Sequence, residues 1–202
     1  MNGSPHENGC TRAALDEASA TFREEGVNPE LFWIGNTPLS GCLGCGYCRL
    51  NGKCMYHDAV NIFADKAKTA DGFIFASPVH YAAASGAITS FMDRVFFSCP
   101  GDVFRLKPGA VIVTARRGGT TAAFDQLCKY LSISQMPIIT SQYWNMVHGM
   151  KPEDIRHDLE GLQTVRTLVR NMVWFIRCKN AGLSAGIPLP KQEEKVSTHF
   201  IR

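Results

Sequence analysis

Four of the chain's eight cysteines fall within thirteen residues, as Cys42, Cys45, Cys48 and Cys54 in a C-x₂-C-x₂-C-x₅-C pattern. Steps of three can aim the first three thiolates at one centre, and Asn51-Gly52 gives the chain freedom to bring in the fourth. Four thiolates suit a [4Fe–4S] cluster, a [2Fe–2S] cluster or a structural zinc ion. The spacing stands nearer to the C-x₂-C-x₂-C run of iron–sulfur proteins than to paired C-x₂-C zinc knuckles. Four unligated thiols are the plain alternative. The other cysteines, Cys10, Cys99, Cys128 and Cys178, are scattered. The start, MNGSPHENGC, has neither a basic segment nor an apolar one of the secretory kind, so the expected location is cytoplasmic. Thiols stay reduced there, and a crowded quartet reads as metal or redox chemistry before disulfides.

A second chemical stretch is Asn2-Gly3-Ser4-Pro5-His6-Glu7-Asn8-Gly9-Cys10-Thr11, leading straight into a helix. Short polar side chains and two glycines let backbone N–H groups turn around an anion, to which the helix N-terminus adds partial positive charge. No Lys follows Gly9, so the stretch does not match the nucleoside-triphosphate loop G-x-x-x-x-G-K-[ST]. A capped turn with Thr11 as N-cap is the simpler reading. Two further loops follow apolar runs: Ser77-Pro78-Val79-His80-Tyr81 after GFIFA, and Arg116-Arg117-Gly118-Gly119 after AVIVTA. Ligands of open α/β sheets bind at the carboxyl ends of strands. The first loop offers a proline-fixed wall and an aromatic for a planar heterocycle. The second offers close backbone approach and cations for a phosphate or an electron-rich ring edge. Each alone also fits an ordinary surface turn; three together at strand ends point to one ligand.

The elements that must position these loops alternate strand and helix, as in an α/β protein with a parallel sheet. Helices are predicted over 11–25, 57–69, 85–97, 120–131 and 159–178, the last with Gly182 just past its end. Strands are predicted over 30–34, 72–76, 110–115 and 137–142. The apolar strand of about five residues that should precede the first loop is absent, so strand one is expected to be missing or supplied from upstream of Met1. Residues 1–182 make one domain and 183–202 an extended tail. Asp93-Arg94 reads as an ion pair. The histidines show no metal-ligand spacing, and neither Ser4 nor Ser77 has a hydrolase triad around it. A formal charge of +3, without a Lys/Arg run interleaved with aromatics, excludes a nucleic-acid face. No apolar run reaches the roughly 20 residues of a membrane span.

Together these segments resemble the NADPH-dependent FMN reductase branch of the flavodoxin-like superfamily, and within it the iron–sulfur flavoproteins. Residues 2–11 look like the family's N-G-S-P-R-x-x-G-N-T loop. Cys42 to Cys54 followed by Asp58 look like its compact cysteine loop. Ala76-Ser77-Pro78-Val79-His80-Tyr81 with Phe91-Met92-Asp93-Arg94 look like its G-S-P-V-Y…F-x-D-R segment. Thr198-His199-Phe200-Ile201-Arg202 is similar to the terminal T-N-F-I-R. The resemblance implies a flavodoxin-like, doubly wound, five-stranded parallel sheet with helices on both faces. It implies that Ser4, His6, Asn8, Cys10 and Thr11 surround the FMN phosphate, that Pro78, Val79, His80, Tyr81, Arg116, Arg117, Gly118 and Gly119 border the isoalloxazine, and that Cys42, Cys45, Cys48 and Cys54 ligate a [4Fe–4S] cluster. His6 stands where the family has Arg, and Cys10 where it has Asn.

The activity implied is an NAD(P)H-dependent oxidoreductase passing electrons through FMN, via the cluster, to a small-molecule or protein acceptor. Because the flavin does the organic chemistry, no protein acid, base or nucleophile is required. The assembly implied is a homodimer or homotetramer, with no nucleic-acid or membrane partner. Two alternatives are a flavin or quinone reductase with structural or zinc-bound cysteines, and a redox carrier or sensor without its own substrate.

Overall fold

Two continuous apolar runs form the centre of the fold because both faces of each are covered. β1 (Phe73–His80) and β3 (Gly109–Ala115) pair in parallel, Phe73 opposite Gly109 and Pro78 opposite Thr114. Side chains alternate across a strand. Phe73, Phe75, Val111 and Val113 therefore face one layer, and Ile74, Ala76, Ala110 and Ile112 the other. The computed structural model describes residues 1–200; Ile201-Arg202, part of the family-like ending, lie outside the described residues.

α1 (Cys10–Glu24) and α6 (Leu159–Ser184) cover one face, with Leu15 and Ala18 against a core that includes Leu168, Val169 and Met172. α3 (Ala59–Ala67), α4 (Gly86–Ser98) and α5 (Thr120–Ile133) cover the other through Val60, Phe63, Ile88, Phe91, Val95 and Leu127. The start of α3 is set by Asp58, whose carboxylate accepts the Val60 N–H, and that of α4 by the Ser85 hydroxyl, which accepts the Ile88 N–H. A short helix, α2 (Tyr47–Asn51), lies inside the cysteine loop, between glycines at φ 73° and 66°. Among the described residues no helix is long and apolar enough to cross a membrane.

The sheet departs from the predicted five parallel strands in four places. Between the 30–34 segment and β1, Met1 to Gly3 stand where strand one belongs. Asn2 N–H donates to the Phe32 carbonyl at 2.7 Å, and Gly3 N–H to that of Ala76 at 2.8 Å. Asn2 thus bridges Trp33 on one side and Ala76 on the other, both in parallel. The spatial order follows the doubly wound 2-1-3-4-5 pattern, with the 30–34 segment reduced to a single bridge. Past Pro78, β1 turns back through Tyr81-Ala82 (φ 50° and 58°) into β2 (Ala83–Ala84), an antiparallel hairpin that was not foreseen.

At the far edge the last strand is β4 (Met146–His148), parallel to β3, not 137–142. Of that predicted strand only Ile138 bridges Gly109. The chain leaves the sheet after Ile139 and returns at Asn145, whose carbonyl accepts the Val113 N–H and whose buried amide donates to the Val111 carbonyl. Finally, α6 runs through Gly182 and ends at Ser184, where Gly186 at φ 85° turns the chain and Ile187 N–H closes on the Gly182 carbonyl.

Candidate functional site

The first loop is shaped by Asn2, which is fully buried. Its Oδ1 accepts the Ser4 N–H at 3.0 Å and its Nδ2 donates to the Glu7 carbonyl at 3.0 Å. His6 N–H donates to Ser4 Oγ at 3.1 Å, and Trp33 Nε1 donates to the Ser4 carbonyl at 2.8 Å. The turn closes on Gly9, the N-cap of α1, which offers no side chain to the helix. Thr11 is therefore inside the first helical turn and not the N-cap. Among the described residues the N–H groups of Cys10, Thr11 and Arg12 have no backbone acceptor, as at any helix start, where a partner must come from outside the helix. The Thr11 hydroxyl meets that of Thr114, near the end of β3, at 2.8 Å. The Cys10 thiol donates to the Gly149 carbonyl at 3.5 Å, and burial, then the carboxylate of Asp154, raise its pKa, which keeps it a neutral thiol.

This turn floors an open cleft of about 750 Å³ at the carboxyl ends of β1, β3 and β4. Ser4, His6, Asn8, Cys10 and Thr11 line it with Pro78, Val79 and Arg116. Also lining it, and missed in the sequence, are Trp33, Asn36, Thr114, Gly149 and Met150. Their shared signal is position, since each lies in or after a strand of the sheet. His80, Tyr81, Arg117, Gly118 and Gly119 are not among the lining residues. The hairpin carries Tyr81 fully into solvent. Gly119, at φ 92°, lets the Arg117–Gly118 loop press on it: a Cβ there would sit 2.6 Å from Ala82 Cα and 2.9 Å from Val79 Cγ1.

Cys42, Cys45, Cys48 and Cys54 line one small cavity of about 20 Å³ together with Tyr56, Arg94 and Phe97. Among the described residues no three His, Cys, Asp or Glu side chains converge on one metal-ion position. A zinc site needs its sulfurs at about 2.3 Å from a single atom, so a one-ion site is not preformed. The set remains chemically suited to a cluster, whose several irons spread the ligands apart. Cys42 and Cys45 are exposed, while Cys54 is the fixed corner. Asn61 clamps its backbone, Oδ1 accepting the Cys54 N–H at 3.0 Å and Nδ2 donating to the Cys54 carbonyl at 2.9 Å. The Cys54 sulfur accepts two N–H groups of Arg94. Burial works against the charge of Arg94, and hydrogen bonds with Asp58 and Cys54 outweigh it, leaving the guanidinium pKa raised. The ion pair read at Asp93-Arg94 is thus Asp58–Arg94, while Asp93 accepts the Tyr130 hydroxyl.

The family model of the NADPH-dependent FMN reductases matches residues 1–151. An iron-sulfur flavoprotein of Methanocaldococcus jannaschii is 30% identical over 184 residues, covering 88% of this chain and 95% of that protein. Among solved structures, RosB with a bound formyl-riboflavin-phosphate intermediate superposes with a TM-score of 0.68 at 13% identity, over 100% of this chain and 91% of that one. The apo form of the NADH:FMN oxidoreductase EmoB gives a TM-score of 0.61 at 15% identity, over 85% of each chain. The structural likeness carries the flavodoxin-like fold, and the matched sequence carries the family. This chain belongs to the NADPH-dependent FMN reductase family.

Proposed function

We propose that the cleft binds FMN and that the protein oxidises NAD(P)H, passing the electrons through FMN and a [4Fe–4S] cluster to a separate acceptor. The observation that carries this reading is the start of α1, whose Cys10, Thr11 and Arg12 N–H groups have no backbone acceptor among the described residues, beside a cleft of about 750 Å³ that Cys10 and Thr11 line. The turn over 2–9 and the first residues of α1 would hold the phosphate, with Ser4, His6, Asn8 and Thr11 around it. Pro78 and Val79 would wall one side of the ring and Arg116 another. His80, Tyr81, Arg117, Gly118 and Gly119 would form the rim beyond, where a nicotinamide enters. FMN, when bound, accepts hydride from a nicotinamide and returns electrons singly. The protein's own part is to hold, orient and exclude water. For the cluster, the support is the shared cavity of the four cysteines and the iron-sulfur flavoprotein name of the matched relative. A homodimer or homotetramer is part of the same reading.

Binding of FMN and riboflavin by titration tests it. Ser4→Ala and Thr11→Ala should weaken FMN about tenfold or more and riboflavin far less, since charge-assisted hydrogen bonds contribute roughly 1.5–3 kcal/mol each. Equal affinities of the wild type for FMN and riboflavin would overturn the phosphate assignment.

A further inference from the structure

Arg94 heads the fully buried side chains by size, only 2% exposed. A buried guanidinium costs several kcal/mol unless its N–H groups find partners. One edge, Nη1 and Nη2, donates to Asp58 Oδ2 and Oδ1 at 2.7 and 2.9 Å. The other edge, Nε and Nη2, donates to Cys54 Sγ, both at 3.3 Å. Its face lies over the Tyr56 ring, 4.7 Å from the centroid, and Nη1 reaches the Ser40 carbonyl at 3.5 Å. An arginine kept only for its ion pair needs one edge; this one gives its second edge to a sulfur. Asp58 is held in turn as the N-cap of α3, and Asn61 of the same helix grips the Cys54 backbone. The sulfur and its two donors are therefore fixed by two packed helices, α3 and α4, whereas Cys42 and Cys45 sit in exposed loop.

We propose that Arg94, aligned by Asp58, is a positioning residue that stabilises negative charge on the Cys54 sulfur and so raises the reduction potential of the cluster held there. The inference rests on the cluster reading given under Proposed function. Adding an electron to an iron–sulfur group increases the negative charge on its cysteinyl sulfurs, and hydrogen bonds to those sulfurs are among the terms that set the potential. Donors already aimed at the sulfur favour the reduced state more than the oxidised one. The couple gains one electron, drawn from NAD(P)H by way of FMN, and no bond to Cys54 forms or breaks. Asp58 keeps the guanidinium charge tolerable in the interior and turns its free edge toward sulfur.

The test uses full-length protein with FMN, reconstituted anaerobically with iron and sulfide, as wild type, Arg94→Lys and Asp58→Asn. Iron, sulfide and FMN content, melting temperature and the midpoint potential by spectroelectrochemical titration are measured for each. Arg94→Lys keeps a charge but loses the paired donation, so its reduction equilibrium should shift roughly tenfold toward the oxidised side, about 59 mV for one electron. Asp58→Asn leaves Arg94 without its counter-charge and should move the potential the opposite way. A variant that keeps FMN and melting temperature but loses iron and sulfide supports the positioning role. If Arg94→Lys does not fold, the upward shift in Asp58→Asn decides alone. Variants holding a full cluster at the wild-type potential overturn the inference and leave the cluster reading intact. A reconstituted wild type with no more iron and sulfide than the variant with all four cysteines changed to Ser overturns both.

Discussion

Cys54 is held by two side chains that a reading of the motif alone passes over, Asn61 on its backbone and Arg94 on its sulfur. That the four cysteines line one small cavity was legible because their spacing is local. Arg94 and Asn61 were not, because their partners lie 40 and 7 residues away on elements that only folding brings together. The same contrast separates the cysteines by reactivity. Burial pushes the Cys99 and Cys128 thiols up to about 11, so at pH 8 only on the order of one in a thousand is thiolate. Iodoacetamide on the metal-free protein should therefore label exposed Cys42 and Cys45 at least tenfold faster than Cys99 or Cys128, read by peptide mass spectrometry. Labelling of the slow pair should rise as pH approaches 11. Changing any one of Cys42, Cys45, Cys48 or Cys54 to Ser should remove most of the reconstituted iron and leave FMN bound. Cys99→Ser and Cys128→Ser should keep both, and equal iron loss in all six variants would show that the quartet does not act as a unit.

Strand one carries the clearest element-scale consequence. A cleft of about 350 Å³ lies between the segment around Glu30 to Phe32 and that around Gly72 to Ile74, beside Met1 and along the line a parallel strand leading into Met1 would take. Phe32 N–H makes no hydrogen bond among the described residues, and in a parallel ladder residue 32 is the one that faces this slot. The Met1 amine is buried and donates to the Ile74 carbonyl at 2.7 Å; desolvation lowers its pKa to about 5, from about 8. The unfolded chain takes up this proton as pH falls below 8, and the folded chain only near 5. Stability should therefore fall between pH 8 and pH 5, by at most about 4 kcal/mol for three pH units. Four strand-forming apolar residues added before Met1 should turn the amine into a peptide, fill the slot and raise the melting temperature. They should also flatten that part of the pH dependence. Thermal melts of both chains from pH 5 to 8 check this; parallel curves would show that the slot does not accept a strand. Strands β1 and β3 were legible as runs apolar on both faces. The hairpin at Tyr81-Ala82 was not, because two-residue turns with positive φ favour Asn and Gly, and neither residue is one. Nor was the edge, where the ladder along β3 switches from Ile138 to Asn145.

For the whole molecule, among the described residues of the tail beyond α6, Val196 and Phe200 are about nine-tenths exposed (89% and 92%). One tail contact is the Pro190 carbonyl, which accepts an Arg105 N–H at 2.6 Å. If the chain assembles as a homodimer or homotetramer, a tail of this kind is suited to lie on a neighbour. Removing residues 187–202 should then reduce the mass found by light scattering at micromolar concentration while leaving FMN bound. A full-length chain that is already monomeric there would remove the oligomer from the reading. The sequence alone determined the α/β class, the polar loop that leads into α1, the cysteine quartet and the helices that flank the sheet. Each depends on period or spacing within some twenty residues, where backbone geometry leaves few choices. Only the tertiary structure decided that Trp33, Thr114 and Gly149 join Ser4 and Thr11 in one cleft. It alone placed Tyr81 and Gly118 outside that cleft, and set Arg94 between Asp58 and Cys54. Those neighbours come from different elements, and their meeting depends on how the helices pack on the sheet, which no local pattern encodes.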